Sequence, residues 1–357
     1  MEVTFLLGNG YDKSLGLPTT YKEFYKWYLK QESETEGVQK LKDSIQNWID
    51  NGDGNWSDFE MALGQFTTVL NDRDEFIACY KSARASLMQY LNEVYEQRKT
   101  ADSDFLLSAA YRLSEMAQSF FTDFKEEDKT QFEHFGAESE VMNFISFNYT
   151  PLLKENNTEM QTFARNLWTR TYEGTDCVLG RIINVHGLID EDPILGVNDI
   201  SQIANEAFRN DSEIVELMVK GEADKKAKHN WRTTACDIIK DSEVVYIYGM
   251  SLGDTDLFWW KHLAEWYESD SQHKLAIHCH INPDVKTDVA KKEMEQRTKI
   301  SNHLHNKDIE SSIIVDSTAR KMTVMFAHAA ANVNISTQTM ATPTVKKASE
   351  INKKSHI

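Results

Sequence analysis

The sequence predicts an α/β fold: a Rossmann-like, mostly parallel sheet interrupted by a large helical insertion. Three observations predict it. A short apolar run near the start, VTFLL at residues 3–7, breaks into glycine. Similar runs return after residue 140, namely VMNFISF (141–147), CVLGRIINVHG (177–187), EVVYIYG (243–249) and KLAIHCHIN (274–282), with helical stretches between them. The block between, 31–140, carries helical periodicity. Continuous apolar runs bounded by glycine fit strands covered on both faces, and strand–helix alternation fits a parallel sheet.

The helices announce themselves by their caps. Thr20 and Glu23 have the spacing of a capping box before FYKWYL, and Ser57 and Glu60 repeat it before MALGQF. Long patterns with apolar side chains three and four apart cover roughly 73–99 and 103–125, and no proline stands between Pro18 and Pro151. Later, SEIVELMV, WRTTACDIIK and DLFWWKHLAEWY supply helices between the strands. Residues 1–30 and 141–330 are expected to form a Rossmann-like nucleotide-binding domain, and 31–140 an acidic helical insertion that walls or covers a site. The polar tail, 331–357, lacks an apolar period and reads as a loosely ordered appendage.

Composition narrows the function. With 357 residues and 41% hydrophobic content the chain can fill a sizeable core. It carries 39 basic and 56 acidic side chains, a net charge of -17, and 31–140 alone holds 23 acids against 10 bases. Such a surface repels a phosphate backbone, so nucleic acid is an unlikely partner. Cys79, Cys177, Cys236 and Cys279 form no C-x-x-C pair, which suggests neither a zinc ribbon nor a disulfide framework. No basic leader precedes VTFLL and no apolar run reaches the roughly 18 residues of a membrane helix. The expectation is a soluble, cytoplasmic protein without membrane contact.

Ligands on open α/β sheets bind outside the carboxyl ends of the strands, so residues at strand ends matter most. The first strand runs into Gly8-Asn9-Gly10-Tyr11-Asp12. Gly8 and Gly10 permit close backbone approach, while Asn9 and Asp12 offer polar groups to a ribose or to the turn itself. Lys13 stands where the dinucleotide fingerprint has its third glycine, so both a nucleotide site and a bare turn remain open. Asn148, in FNYTP, can orient a ligand or make an Asx turn, and Pro151 pushes Thr150 toward extended backbone. His186, in NVHG, is either a general base at the mouth of a site or a hydrogen-bonded strand-end residue. In YIYGMSLGDTD, Gly249, Ser251 and Gly253 could meet a phosphate, with Asp254 or Asp256 capping the following helix. Asn282 follows the last strand. His278 and His280 share a strand face, but no third metal ligand stands at a recognisable spacing.

In this order the segments resemble the bacterial abortive-infection AbiH family. LLGNGYDKSLGLPTTYKEF is similar to the family's opening strand, GNGFD-like turn and GLPT-Y-F continuation, and FISFNYT, NVHG and YGMSLGDTD fall where the family has its FNYT, HG and G-x-S-L-x-x-x-D segments. That pattern in turn looks like a remote relative of the sirtuin-type NAD-binding fold. The second resemblance implies that Gly8, Asn9, Gly10, Gly249, Ser251 and Asn282 bind NAD, that Asn148 lies near the nicotinamide ribose, and that His186 is the catalytic base; Asp12 and Asp256, from the same strand-end segments, are expected to join the binding set. Thr150 stands where the sirtuin segment has Asp, and Met250 where AbiH sequences often carry His. The isolated cysteines leave no sirtuin zinc module, which weighs against deacylation.

The resemblance therefore implies an antiphage protein that cleaves the nicotinamide–ribose bond of NAD, with NAD as substrate or ligand and no tightly bound cofactor. The other reading it allows is a non-catalytic NAD or ADP-ribose sensor or partner module. A nuclease is disfavoured by the acidic insertion. Control by homo-oligomerisation or a phage-derived trigger follows from context, since an NAD-destroying enzyme must stay quiet in a healthy cell.

Overall fold

A computed structural model of the chain describes residues 1–52, 58–120, 140–154, 177–228, 230–270, 272–278 and 314–315. The apolar runs pair into one parallel sheet of six strands: β1 (Glu2–Leu7), β2 (Glu140–Ser146), β3 (Cys177–Asn184), β4 (Val244–Tyr248), β5 (Lys274–Ile277) and β6 (Ile314–Val315). Their spatial order is β3-β2-β1-β4-β5-β6, the order of the doubly wound fold. β1 pairs with β2 on one side and with β4 on the other, so the direction of winding reverses beside β1.

The strands read as unbroken apolar runs because both faces are covered. Val3, Phe5 and Leu7 point into one core, which they share with Phe144, Tyr246 and the helix α6 (Phe105–Ser119). Leu6, with Ile145 and Ile247, points into the other, against α10 (Trp231–Asp241) and α11 (Leu257–Ser269). Phe5 shows the density of the first core: its ring stacks on Phe144 at 5.1 Å and meets the edge of Phe120 at 5.6 Å. A phenylalanine buried this completely stabilises the fold by about 2 kcal/mol.

The remaining helices build a third core above the carboxyl ends of the strands. α1 (Asn9–Ser14) leads into α2 (Tyr21–Tyr28), α3 (Glu36–Asp50), α4 (Phe59–Phe66) and α5 (Arg73–Ala101). The segment between β3 and β4 adds α7 (Glu206–Arg209), α8 (Ser212–Met218) and α9 (Lys220–Ala227). Phe24, Phe59 and Phe76 pack there with Leu195, Val197 and Ile214, so the helical insertion and the β3–β4 segment share one interior. Tyr80 joins them, its hydroxyl donating to Leu195 O at 2.6 Å.

The Thr20–Glu23 capping box is present, with Glu23 N donating to Thr20 Oγ1 at 3.2 Å and Thr20 N to Glu23 Oε2 at 3.0 Å. The second expected box is not the one that starts α4. Asp58 is the cap there, its Oδ1 accepting from Glu60 N and Met61 N, each at 3.1 Å. With Asp58 as the cap, Glu60 is the second helical residue and Met61 the third, so no capping box forms at this end. Ser57, residues 121–125 of the second long helical pattern, Asn282, His280 and the tail lie outside the described residues.

Candidate functional site

Register places the strand-end motifs side by side. Leu7 of β1 is level with Ser146 of β2 and Tyr248 of β4, and Ser146 is level with Asn184 of β3. Gly8, Asn148, His186 and Gly249 each follow within two residues, so all four rise at the same height around the point where the winding reverses. They line one cleft of about 510 Å³. Asp58, Glu60, Met61, Leu87 and Leu91 of the insertion close its far side, and residues 249–256 form its rim.

The glycines are explained first by each other. Gly8 N donates to Tyr248 O at 2.9 Å and Gly10 N to Gly249 O at 2.8 Å. A Cβ on Gly10 would stand 2.3 Å from Gly249 Cα, and Gly249 itself has φ +67. Two backbones in contact, one of them left-handed, leave no room for a side chain at either position. The amides of Gly8 and Gly10 are thus spent on holding the two loops together. Among the described residues, the amides of Asn9, Met250, Leu252 and Gly253 donate to no protein acceptor.

The polar residues of the first turn are braces as well. Asn9 Nδ2 donates to Thr19 O at 3.1 Å and its Oδ1 accepts from the Thr19 hydroxyl, which ties the turn to the loop before α2. Asp12, only 1% exposed, accepts from Asn148 Nδ2 and from Thr150 Oγ1, both at 2.8 Å. Burial pushes its carboxyl up to about 7, against the pull of the hydrogen bonds from Thr150 and Asn148. Thr150 is extended, with φ -72 and ψ 139, as its proline neighbour requires.

Asn148 is fixed by those contacts. Its nitrogen donates to Gly8 O at 3.0 Å as well as to Asp12. Because a carbonyl can only accept, the amide nitrogen must face that side, and Oδ1 is what remains for a ligand.

His186 is buried between aromatic rings, its imidazole edge-on to Phe147 with centroids 5.5 Å apart. Nε2 is sealed from solvent and stands 3.4 Å from Asp256 Oδ1, a close electrostatic contact longer than a good hydrogen bond. Behind Asp256 lies a buried charge cluster that escapes a reading of the sequence. Lys220 Nζ donates to Asp256 Oδ1 and to Glu60 Oε2, each at 2.8 Å. Glu60 Oε1 also accepts from Tyr149 OH and Gly196 N, both at 3.2 Å. Burial raises Asp256, but the charge of Lys220 and the contact with His186 outweigh it and hold its carboxyl well below the usual carboxylate range. Burial wins at Glu60, which is pushed up in spite of Lys220. Burial lowers Lys220, and the two carboxylates more than reverse it, so the ammonium is held charged. The two acids on either side of Lys220 thus differ: Asp256 is firmly ionised, and Glu60, where burial outweighs the same lysine, gives up its charge more easily.

Lys220 is put in place by a backbone bridge: Val197 N donates to Met218 O at 2.7 Å and Lys220 N to Val197 O at 2.9 Å. A Cβ on Gly196 would come 1.9 Å from Met218 O, so glycine is what lets the two segments meet. In sequence, Glu60 is a capping residue and Lys220 opens a charged helix; nothing local marks either. Asp256 occupies the N-cap of α11 but makes no capping bond, which corrects the expectation for it. Asn198 Oδ1 takes that role by accepting from Phe258 N at 2.7 Å. Ser251 is exposed on the cleft rim.

Among the described residues, no group of three or more His, Cys, Asp or Glu side chains is arranged to hold a metal ion, and no helix is long and apolar enough to cross a membrane. No curated protein and no solved structure matches the chain. Residues 4–278, which contain every strand-end motif that lines the cleft, match the family described as Bacteriophage abortive infection AbiH. With well over half its length in that match, the chain belongs to the AbiH family.

Proposed function

We propose that this chain is an antiphage abortive-infection protein whose cleft binds NAD and hydrolyses its nicotinamide–ribose bond. One observation carries the reading. At the switch point of a doubly wound sheet, where such folds take their ligands, a fixed acceptor on Asn148 and an imidazole backed by an ionised carboxylate face the same cleft.

In this reading Asn148 Oδ1 accepts a hydrogen bond from a ribose hydroxyl or from the attacking water. The bond between C1′ and the nicotinamide nitrogen breaks, its electron pair neutralises the pyridinium, and nicotinamide departs. The water oxygen bonds to C1′ and its proton passes to the cleft-facing nitrogen of His186, which leaves ADP-ribose. The charge of the cleft suits this path. Asp12, Asp58, Glu60, Asp254 and Asp256 line it and, among the described residues, no lysine or arginine does, so the wall favours a cationic nicotinamide ring and an oxocarbenium-like transition state. The pyrophosphate would rest on amides instead of basic side chains, and the N–H groups of Asn9, Met250, Leu252 and Gly253, which meet no acceptor among the described residues, would supply them. Control by homo-oligomerisation and by a phage-derived trigger belongs to the same proposal.

The competing reading is a non-catalytic NAD or ADP-ribose sensor. It is favoured by how much of the first turn is spent on internal bonds, since Asn9, Asp12, Gly8 and Gly10 all have protein partners. Phage challenge of cells expressing wild type, His186→Ala or Asn148→Ala separates the two, with NAD measured through the infection. The hydrolase reading expects NAD to collapse with the wild type and to hold with either variant, together with loss of protection. Protection that survives His186→Ala, or that proceeds at constant NAD, would establish the sensor instead.

A further inference from the structure

Four charged or titratable side chains stand in a line from the interior to the cleft: Glu60, Lys220, Asp256 and His186, joined by contacts of 2.8, 2.8 and 3.4 Å. All are largely buried, with side-chain exposures of 6%, 8%, 18% and 7% in that order. They come from four different parts of the chain: α4, the first position of α9, the turn before α11, and the residue two beyond β3. Burying this many ionisable groups is expensive, and a hydrophobic cluster of the same volume would serve stability as well or better. A buried ionic row whose last member is an imidazole therefore calls for a purpose other than stability.

We propose that Lys220 and Glu60 are positioning residues for His186. Lys220 clamps Asp256 Oδ1, the same oxygen that faces His186 Nε2, and Glu60 holds the far side of the ammonium. Asp256 is thereby kept ionised and fixed in orientation. Its charge favours the tautomer with the proton on Nε2, which leaves the lone pair on Nδ1 for the cleft. Without the clamp, Asp256 would be a buried carboxylate beside a neutral ring, free to take a proton or turn away, and the ring would lose its preference. The other charged groups that share a cavity with the ring are Asp12, Asp58 and Asp254 in the cleft and, across a cavity of about 20 Å³ behind it, Asp224 and Arg232. The inference rests on the reading of His186 as the base only for its consequence; the tautomer itself is a property of the unliganded protein.

The test is the pair of ring-nitrogen signals of His186, recorded on ¹⁵N-histidine protein near pH 8 and assigned by their absence in His186→Gln. The wild type should show a pyrrole-type Nε2 and a pyridine-type Nδ1. The double variant Glu60→Gln with Lys220→Met removes one positive and one negative charge, so the net charge of the row is unchanged and only the clamp is lost. It should shift both signals toward the average of a mixed population, and nicotinamide release should fall at least tenfold in kcat with KM little changed. If that variant does not fold, Lys220→Gln alone should produce the same mixing. A wild type with its pyridine-type signal on Nε2, or a folded variant with unchanged signals, would overturn the proposal. No ligand enters the spectroscopic measurement, so a protein that never cleaves NAD but shows the wild-type pattern would sink the hydrolase reading and leave the clamp standing.

Discussion

Asp12 carries a physical tension in the cleft that a single substitution can release. Its carboxyl is buried and titrates near 7 in the folded chain, against an ordinary value of 3.8. A raised carboxyl pKa means that the folded state binds the proton more tightly than the unfolded chain. The stability from that proton is full below about pH 4 and is lost as pH rises through 7, a swing of about 4 kcal/mol at most. Asp12→Asn removes the titration and keeps the geometry, because its oxygen can still accept from Asn148 while its nitrogen donates to the Thr150 hydroxyl. Melting temperatures of the variant and the wild type, compared from pH 5 to pH 8, should diverge in the variant's favour by several degrees as pH rises. A difference that stays constant with pH would show that Asp12 does not titrate in this range. The sequence offered Asp12 as a polar group for ribose or turn, and in the structure its carboxylate lines the cleft and accepts from Asn148 and Thr150. What could not be read was its environment, since Asn148 and Thr150 stand 136 and 138 positions further along the chain. The same holds for Glu60 and Lys220, 160 residues apart and joined only by the fold.

The elements were more legible than their contacts. β1 to β4 fall within about a residue or two of their apolar runs, apart from the Val185–Gly187 end of the β3 run, and the Thr20 capping box starts α2 where its spacing indicates. These features are local: period, caps and glycine boundaries act within a few residues. The meaning of the glycines is not local. Gly10 and Gly249 read in the sequence as phosphate-loop glycines, and in the structure their backbones form the contact between the β1 and β4 loops. Gly10→Ala and Gly249→Ala should each cost about 3 kcal/mol or more, because backbone atoms and not a yielding side chain stand in the way, and Gly249 also has positive φ. The double variant should cost less than the sum, since the first methyl already parts the loops. Urea unfolding of the three variants measures this. A single variant within about 0.5 kcal/mol of wild type would mean that the loops are not held by this contact.

At the scale of the whole molecule, strand–helix alternation was enough to predict a parallel sheet, and the strand order then located the cleft. The insertion was readable as helical and acidic, but not as a partner of the β3–β4 segment. Amphipathic helices declare which face they bury and not against what, so the shared core of Phe59, Phe76, Leu195 and Ile214 became visible only in three dimensions. That core brings Glu60 and Lys220 together and makes the insertion a wall of the site.

The claim that this cleft cleaves NAD is tested most directly by incubating the purified protein with NAD labelled in the nicotinamide ring, with and without lysate from phage-infected cells as a source of trigger. The account predicts labelled nicotinamide and ADP-ribose in equal amounts from the wild type, and none above background from His186→Ala or Asn148→Ala. Intact NAD in the presence of lysate from infections against which the same wild type protects its host would contradict it.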